Sequence, residues 1–405
     1  MTKEPLLFIC HRIPFPPNKG DKIRSFNILK QLSATYDIHL ASLIDDPHDW
    51  QYQQNLQHLC ASLELKSLHP LLGKIKGVAS FLRNRPISLP YFYNMSLHRW
   101  IKKTIAKQRI KKVFIYSSAM AQYVEANADL TRIADYVDVD SDKWRQYANQ
   151  SRSVLSRFVF NWEARTLENY ERKIARDFEG VAFVSNEEAE FFRKNVLRTQ
   201  LQDKVFAFPN GVDLEYFSDQ IGSRNPLQNS SYIVFTGAMD YKANVESVIW
   251  FCEHVWPLLA AEKPQLKLAI VGGNPTEEVK ALTKLPGVIV TGRVEDIRPY
   301  IQYSELAIAP IQIARGIQNK VLEGMAMGKA MVMSSMAAEG IKLPKNQQAY
   351  VQDRPEKLLH GILHLLDAPE LRAEIGGQNR QWMLQHYTWS QVTDILNERL
   401  KKSYA

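Results

Sequence analysis

Short apolar runs alternate with stretches of helical pattern along the whole of this 405-residue chain, and that alternation limits its fold more than any other feature. In the first half the runs are 6–10, 38–44, 113–117, 133–139, 181–184 and 205–208; in the second they are 233–237, 266–271, 288–291, 306–311, 330–334 and 349–351. Strands separated by helices of about ten residues or more form parallel sheets of βαβ units. Two successive sets predict two doubly wound, Rossmann-like α/β domains. The turn-rich stretch around Pro209, Asn210, Gly211, Gly222 and Pro226 separates them. The expected layout is a first domain over 1–208, a junction over 209–231, a second domain over 232–386 and a terminal helix over 387–405. Thr388 is the expected N-cap of that helix, which has no strand left to follow and is expected to pack back on the first domain.

Cys10, Cys60 and Cys252 lie far apart and form no CxxC pair, which argues against a metal knuckle or disulfide framework and fits a reducing compartment. The apolar run 6–10 is too short for a signal core and reads as a strand, and no run approaches membrane-spanning length. The expected location is therefore cytoplasmic. The net charge of +8 is unevenly placed: from Leu65 to Val124 there are 12 Lys or Arg and no Asp or Glu. Phe81, Tyr91, Phe92, Tyr93 and Trp100 are interleaved with them. This composition suits an anionic membrane surface at the inner face of the cytoplasmic membrane. Nucleic acid attracts the same charge but would leave the next motif unexplained, so no nucleic-acid partner is expected. A solvated basic face is the plainer alternative.

That motif is residues 314–335, where an apolar strand enters a loop holding Gly316, a helix follows with Glu323 in its second turn, and Gly328 ends it. The first N–H groups of a helix are unpaired and its dipole is positive there, so a helix entered from a glycine loop binds anions. A carboxylate one to two turns in can reach a ribose diol. The same spacing also suits an ordinary loop–helix joint. Gly237 closes the first strand of the second domain; Lys242 follows in what reads as a loop, with Asn244 capping a helix from Val245. Gly20 lies in the first strand–helix turn, where ligands of open α/β sheets bind. Asp21 is the expected cap there, and Ile23, Phe26, Ile28 and Leu29 the apolar face. Asp138 and Asp140 are expected to share one face of a strand end. With Lys143 at the sixth position the segment fails as a calcium loop, and no metal site is assigned.

Taken together, these residues resemble family 4 of the glycosyltransferases, which have the GT-B fold. The resemblance rests on the run 208–213 (FPNGVD) followed by Phe217, on Gly237-Ala238-Met239, Val271-Gly272-Gly273, Thr291-Gly292-Arg293-Val294, and the segment 316–328. The N-terminal HRIPFPPNKGDKIRS and the later DVDSDKW are more narrowly similar to the sugar transferases of exosortase-associated (PEP-CTERM) exopolysaccharide systems. The resemblance implies two Rossmann-like domains facing across a cleft. It also implies a retaining hexosyltransferase that moves a sugar from a nucleotide diphosphate donor to an acceptor hydroxyl, without a cofactor. A lipid-linked sugar is the acceptor that suits the basic window.

Carried over by position, Glu323 would bind the ribose hydroxyls and Lys242 the diphosphate, with Lys320 and the amides of 316–320 assisting. Arg293 and Val294 would lie near the base, Gly20 would face the donor, and Asp140 falls near a position that is often histidine in relatives. Two departures are visible. Arg315 stands where the family usually has a second Glu, and Ala238 where it usually has Arg. Arg315 is read as supplying the cation that Ala238 lacks. A sugar-nucleotide epimerase of the same fold and a non-catalytic nucleotide-sugar-binding protein are the remaining alternatives.

Overall fold

The computed structural model describes residues 3–68, 80–81, 84–198, 202–228, 230–313 and 316–402. The chain divides into two compact units, Met1–Pro209 with Val392–Ala405, and Asn210–Gln391.

The first unit holds a seven-stranded parallel sheet in the order β3-β2-β1-β4-β5-β6-β7. Its strands are β1 (Glu4–Cys10), β2 (Tyr36–Ile44), β3 (Ser62–Ser67), β4 (Lys112–Tyr116), β5 (Thr131–Val137), β6 (Gly180–Phe183) and β7 (Val205–Ala207). Leu6 to Cys10 are fully buried, as a central strand covered on both faces requires. The order reverses between β1 and β4, so the carboxyl ends of these two strands bound the crevice where an open α/β sheet takes ligands. The terminal helix Trp389–Lys401 buries Leu396 and Leu400, and Arg399 donates to the Asp203 carbonyl at 2.6 Å while covering the Phe206 ring.

The second unit holds a five-stranded parallel sheet, β10-β9-β8-β11-β12. The strands are β8 (Tyr232–Thr236), β9 (Lys267–Val271), β10 (Val288–Val290), β11 (Ala307–Ala309) and β12 (Met331–Met333). Its switch point lies between β8 and β11. The helix Pro369–His386 crosses the end of the Asn319–Ala326 helix so closely that a Cβ on Gly376 would lie 2.0 Å from the Gly328 carbonyl oxygen.

Two parallel Rossmann-like sheets are the fold class that the alternation predicts. The strand tally differs from the expected six and six. β3 has a mixed polar sequence, SLELKS, and carries no apolar run; it forms by extending β2 at the sheet edge. The run 349–351 makes only an isolated bridge, Val351 to Met333.

Candidate functional site

In the second unit the expected elements converge on the switch point. β8 runs into Gly237 and β9 into Gly272, and the two loops touch through backbone: a Cβ on Gly272 would stand 1.7 Å from the Gly237 oxygen. Gly316, in the loop after β11, holds φ +72, a conformation glycine adopts without steric cost. The helix Asn319–Ala326 begins beside it, and its N-cap residue Gln318 makes no side-chain cap bond. Asn319 is tied from below, since its Oδ1 accepts from Asn210 Nδ2 at 2.8 Å. That bond explains the Asn of the NGVD run. Gly211 beside it has no room for a Cβ, which would lie 2.8 Å from the Trp389 nitrogen.

Glu323 and Lys320 face each other one turn apart on this helix. The Lys320 ammonium donates to Asn244 Oδ1 at 2.6 Å and sits 4.8 Å over the Phe235 ring. Burial lowers its pKa to about 8, with Glu323 opposing the fall. The Glu323 carboxylate makes no hydrogen bond or ion pair among the described residues; burial raises its pKa to about 7 and Lys320 holds it back. A half-buried carboxylate about one turn into a helix that starts without a side-chain cap, and with no hydrogen bond among the described residues, keeps acceptor capacity for a ligand.

Asn244 is the residue that sequence reasoning misjudged. The helix starts at Lys242 rather than Val245, so Asn244 lies in its first turn, not at its cap. Its amide instead bridges the two halves of the site, donating to the Ala238 carbonyl at 2.9 Å and accepting from Lys320. A side chain at position 237 would collide with it, because a Cβ there would be 2.5 Å from Asn244 Nδ2. Lys242 is accordingly the first helical residue, exposed, and 3.6 Å from Glu246 one turn on. Arg293 follows β10 and is exposed, with Nε 3.6 Å from where a Gly273 Cβ would be; Val294 next to it is half-buried. Arg315 lies outside the described residues.

In the first unit Gly20 opens the helix Gly20–Thr35, and a Cβ there would meet nothing within 4 Å. The cap position is Lys19, not Asp21. Asp21 instead accepts from Arg12 at 2.6 Å and lies 3.7 Å from His11. Burial alone would raise its pKa, but these two partners hold it well below the usual carboxylate range. The expected apolar face is met in part: Ile28 and Leu29 are fully buried, Ile23 and Phe26 only half-buried, and Lys22 and Arg24 are buried as well. Lys22 pairs with Asp49 at 2.6 Å, and Arg24 pairs with Asp135 at 2.7 Å, donates to the Phe208 carbonyl and covers the Phe208 ring. Hydrophobic spacing could not reveal these pairs, because the partners come from the turn Pro47–Tyr52 and from β5, distant in sequence.

Asp138 and Asp140 do not share a strand face. β5 ends at Val137, whose φ is +68, and the Asp138 nitrogen donates to the Tyr136 carbonyl across it. A β-branched residue at positive φ is strained. The turn holds because its amides are taken up: Val137 by Asp135, Val139 by Glu188 and Ser141 by Glu171. Asp140 therefore starts the helix Asp140–Gln150, and Lys143 supplies the charge between it (3.5 Å) and Asp138 (2.6 Å). Burial raises the Asp140 pKa, opposed by Lys143. Nearby, Ser117 just after β4 holds φ +80, and the buried Tyr116 hydroxyl and His11 Nδ1 have no hydrogen-bond partner among the described residues.

Residues 230–368 match the family described as Glycosyl transferases group 1. The chain is 19% identical over 362 residues to an uncharacterized 44.6 kDa protein in the cps region of Klebsiella pneumoniae, covering 85% of this chain and 87% of that one. Among solved structures it is similar to sucrose-phosphate synthase from Thermosynechococcus elongatus (TM-score 0.72, 16% identity, 98% of each chain). It is also similar to Anabaena HepE in complex with UDP (TM-score 0.66, 12% identity, 99% of each chain) and to a glycosyltransferase from Rickettsia africae (TM-score 0.65, 14% identity, 100% of each chain). The fold is GT-B. With its group 1 domain, the chain is a glycosyltransferase, an enzyme of sugar transfer.

Proposed function

We propose that the enzyme transfers a sugar from a nucleotide diphosphate sugar to an acceptor hydroxyl with retention at the anomeric carbon. The observation that carries this is the Glu323 carboxylate, which makes no hydrogen bond or ion pair among the described residues, on the helix that starts without a side-chain cap at the β8–β11 switch point. Glu323 accepts the ribose hydroxyls, and the first amides of the helix with Lys320 and Lys242 meet the diphosphate. Arg293 and Val294 flank the base. Similarity to HepE, whose structures include complexes with UDP and with UDP-glucose, supports a nucleotide sugar as donor. As the anomeric C–O bond breaks, negative charge grows on the departing diphosphate. Fixed donors at that point are worth about 10²–10³ in rate each. The departing diphosphate takes the acceptor proton on the same face, so no second carboxylate is required. Gly20, which leaves open space, is read as facing the donor, and Asp140 is assigned to the acceptor side.

The acceptor is read as a lipid-linked glycan in exopolysaccharide synthesis. The basic window 65–124 and the relative in a cps region support that reading. No helix among the described residues is long and apolar enough to cross a membrane, so the contact would be peripheral. The test is a panel of UDP, GDP and ADP sugars read by ligand-induced thermal shift, repeated with Glu323→Ala and Arg315→Ala. One donor class should raise the melting temperature of the wild type and do so far less in either variant. Equal shifts in wild type and Glu323→Ala would refute the assignment of the ribose contact.

A further inference from the structure

The helix Val154–Asp177 has two different outward faces. Its inward stripe is buried from Glu163 onward, through Ala164, Leu167, Tyr170 and Ile174. Opposite that stripe, the last turns carry the polar surface of an ordinary amphipathic helix, with Arg165, Asn169 and Arg172. The first turns do not. There Val154, Leu155 and Phe158 point outward at 80%, 73% and 58% exposure. At 100° per residue these three and Trp162 fall within one quarter to one third of the helix circumference.

Neighbouring segments extend this apolar face. Phe81 stacks on Phe158 with ring centres 6.1 Å apart and tilts against Trp162 at 5.0 Å. On the preceding helix, Tyr147 is 52% exposed and leans on Trp144. Soluble surfaces scatter such residues singly; a contiguous group marks a docking surface.

The charge around the group says what docks there. Between Lys143 and Trp162 the chain has no Asp or Glu, and Arg152 and Arg157 are exposed at the tip. Arg165 lies over the Trp162 ring at 5.0 Å on the same side. Apolar and aromatic side chains ringed by arginine are the composition that enters the headgroup region of an anionic bilayer, with the guanidinium groups remaining at phosphate level. Of the aromatics of the basic window, Phe81 joins this face, but three others do not. Phe92, Tyr93 and Trp100 pack against the hydrophobic core of the first unit, and residues 69–79 and 82–83 lie outside the described residues.

We propose that the tip formed by residues 144–162, with Phe81, is the surface by which the enzyme inserts into an anionic membrane leaflet. This rests on the reading that the enzyme works at a membrane, and it names the insertion surface within that reading. The basic helix Met95–Gln108, with Arg99, Lys102, Lys103 and Lys107 exposed, adds long-range attraction but presents no comparable apolar group.

The test is co-sedimentation of the full chain with vesicles of phosphatidylcholine alone and with phosphatidylglycerol added, for wild type and for Val154→Ser/Leu155→Ser/Phe158→Ser. These side chains are already in water, so the variant should unfold at the wild-type temperature, and thermal unfolding checks that. Wild type should bind the anionic vesicles, and the variant at least about tenfold more weakly. Arg152→Gln/Arg157→Gln should bind with a shallower dependence on salt. Wild type that ignores both vesicle types would overturn the membrane reading itself. Wild type and triple variant binding anionic vesicles equally would overturn only the assignment of the tip. A wild-type dimer that the triple substitution makes monomeric, with vesicle binding unchanged, would assign the patch to a second copy of the chain and also overturn the proposal.

Discussion

Glu323→Gln should stabilise the ligand-free enzyme at alkaline pH and not at acid pH. The Glu323 pKa rises from an ordinary 4.5 to about 7 because burial disfavours the charged form more than Lys320 favours it. A carboxyl whose folded pKa exceeds its unfolded value binds more protons folded than unfolded. Its contribution to stability is therefore intact below about pH 4.5, falls as the pH rises toward 7, and stays flat above. At 1.36 kcal/mol per unit the full loss is roughly 3 kcal/mol, and partial exposure brings it to about 1–2 kcal/mol. Gln carries no charge to desolvate and removes this cost. The comparison belongs at pH 8.5, where Lys320, with a pKa of about 8, is mostly neutral and little attraction is lost with the carboxylate. Differential scanning calorimetry should show the variant melting about 2–8 °C higher at pH 8.5, at about 2–4 °C per kcal/mol for a unit of this size. The two proteins should be within about 2 °C at pH 5. The same variant should bind the nucleotide sugar about 10- to 100-fold more weakly, since bonds to a charged acceptor are worth about 1.5–3 kcal/mol. A variant less stable at pH 8.5, or equally shifted at both pH values, would show that the carboxylate is not paying a burial cost.

Three further substitutions test the geometry. Gly272→Ala puts a methyl 1.7 Å from the Gly237 oxygen and should cost more than about 3 kcal/mol in urea unfolding, whereas Gly292→Ala, with φ +68 but open space around it, should cost about 1–2 kcal/mol. Arg24→Met strands the buried Asp135 and should cost about 3–5 kcal/mol, while Arg24→Met/Asp135→Leu should recover most of it; a double variant as unstable as the single would refute the pairing argument. Val137→Gly relieves a positive φ of +68, so it should leave stability unchanged or raise it by about 1 kcal/mol while lowering the transfer rate; a clear loss of stability would mean the Val137 side chain matters more than its strain.

Much of the second unit was legible in the sequence, because its site is built from short-range signals. A strand, a glycine, a helix start and a carboxylate in the second turn are all set by local spacing, and Gly316 and Glu323 stand where that spacing puts them. The helix expected from Val245 begins at Lys242, because a helix start is fixed by which amides find acceptors, and here the Asn244 side-chain amide reaches the Ala238 carbonyl across the turn instead of capping. The first unit was less legible. The helix Gly20–Thr35 buries lysine and arginine that a hydrophobic pattern assigns to solvent, and only the fold brings Asp49 and Asp135 to them. The Asp138–Asp140 turn depends on Glu171 and Glu188, which lie about 30 and 50 residues further along the chain.

The two units finish their strands in opposite ways, and the difference bears on what each can hold. β8, β9, β10 and β11 are followed by Gly237, Gly272, Gly292 and Gly316. Glycines along one edge of a sheet let backbone come close to a ligand, which suits a phosphate, whose oxygens are satisfied by N–H groups regardless of the base attached. β4 and β5 end instead in Ser117 and Val137, non-glycine residues at positive φ, and the edge beyond them is filled by His11, Arg12, Asp21, Asp140 and Lys143, tied to one another or to strand-end partners. Side chains fixed in that way present a specific pattern of donors and acceptors, which suits a ligand distinguished by its hydroxyl positions. The physical asymmetry therefore matches the proposed assignment: the diphosphate of the donor to the glycine edge, and the hydroxyl-bearing acceptor to the edge of charged side chains.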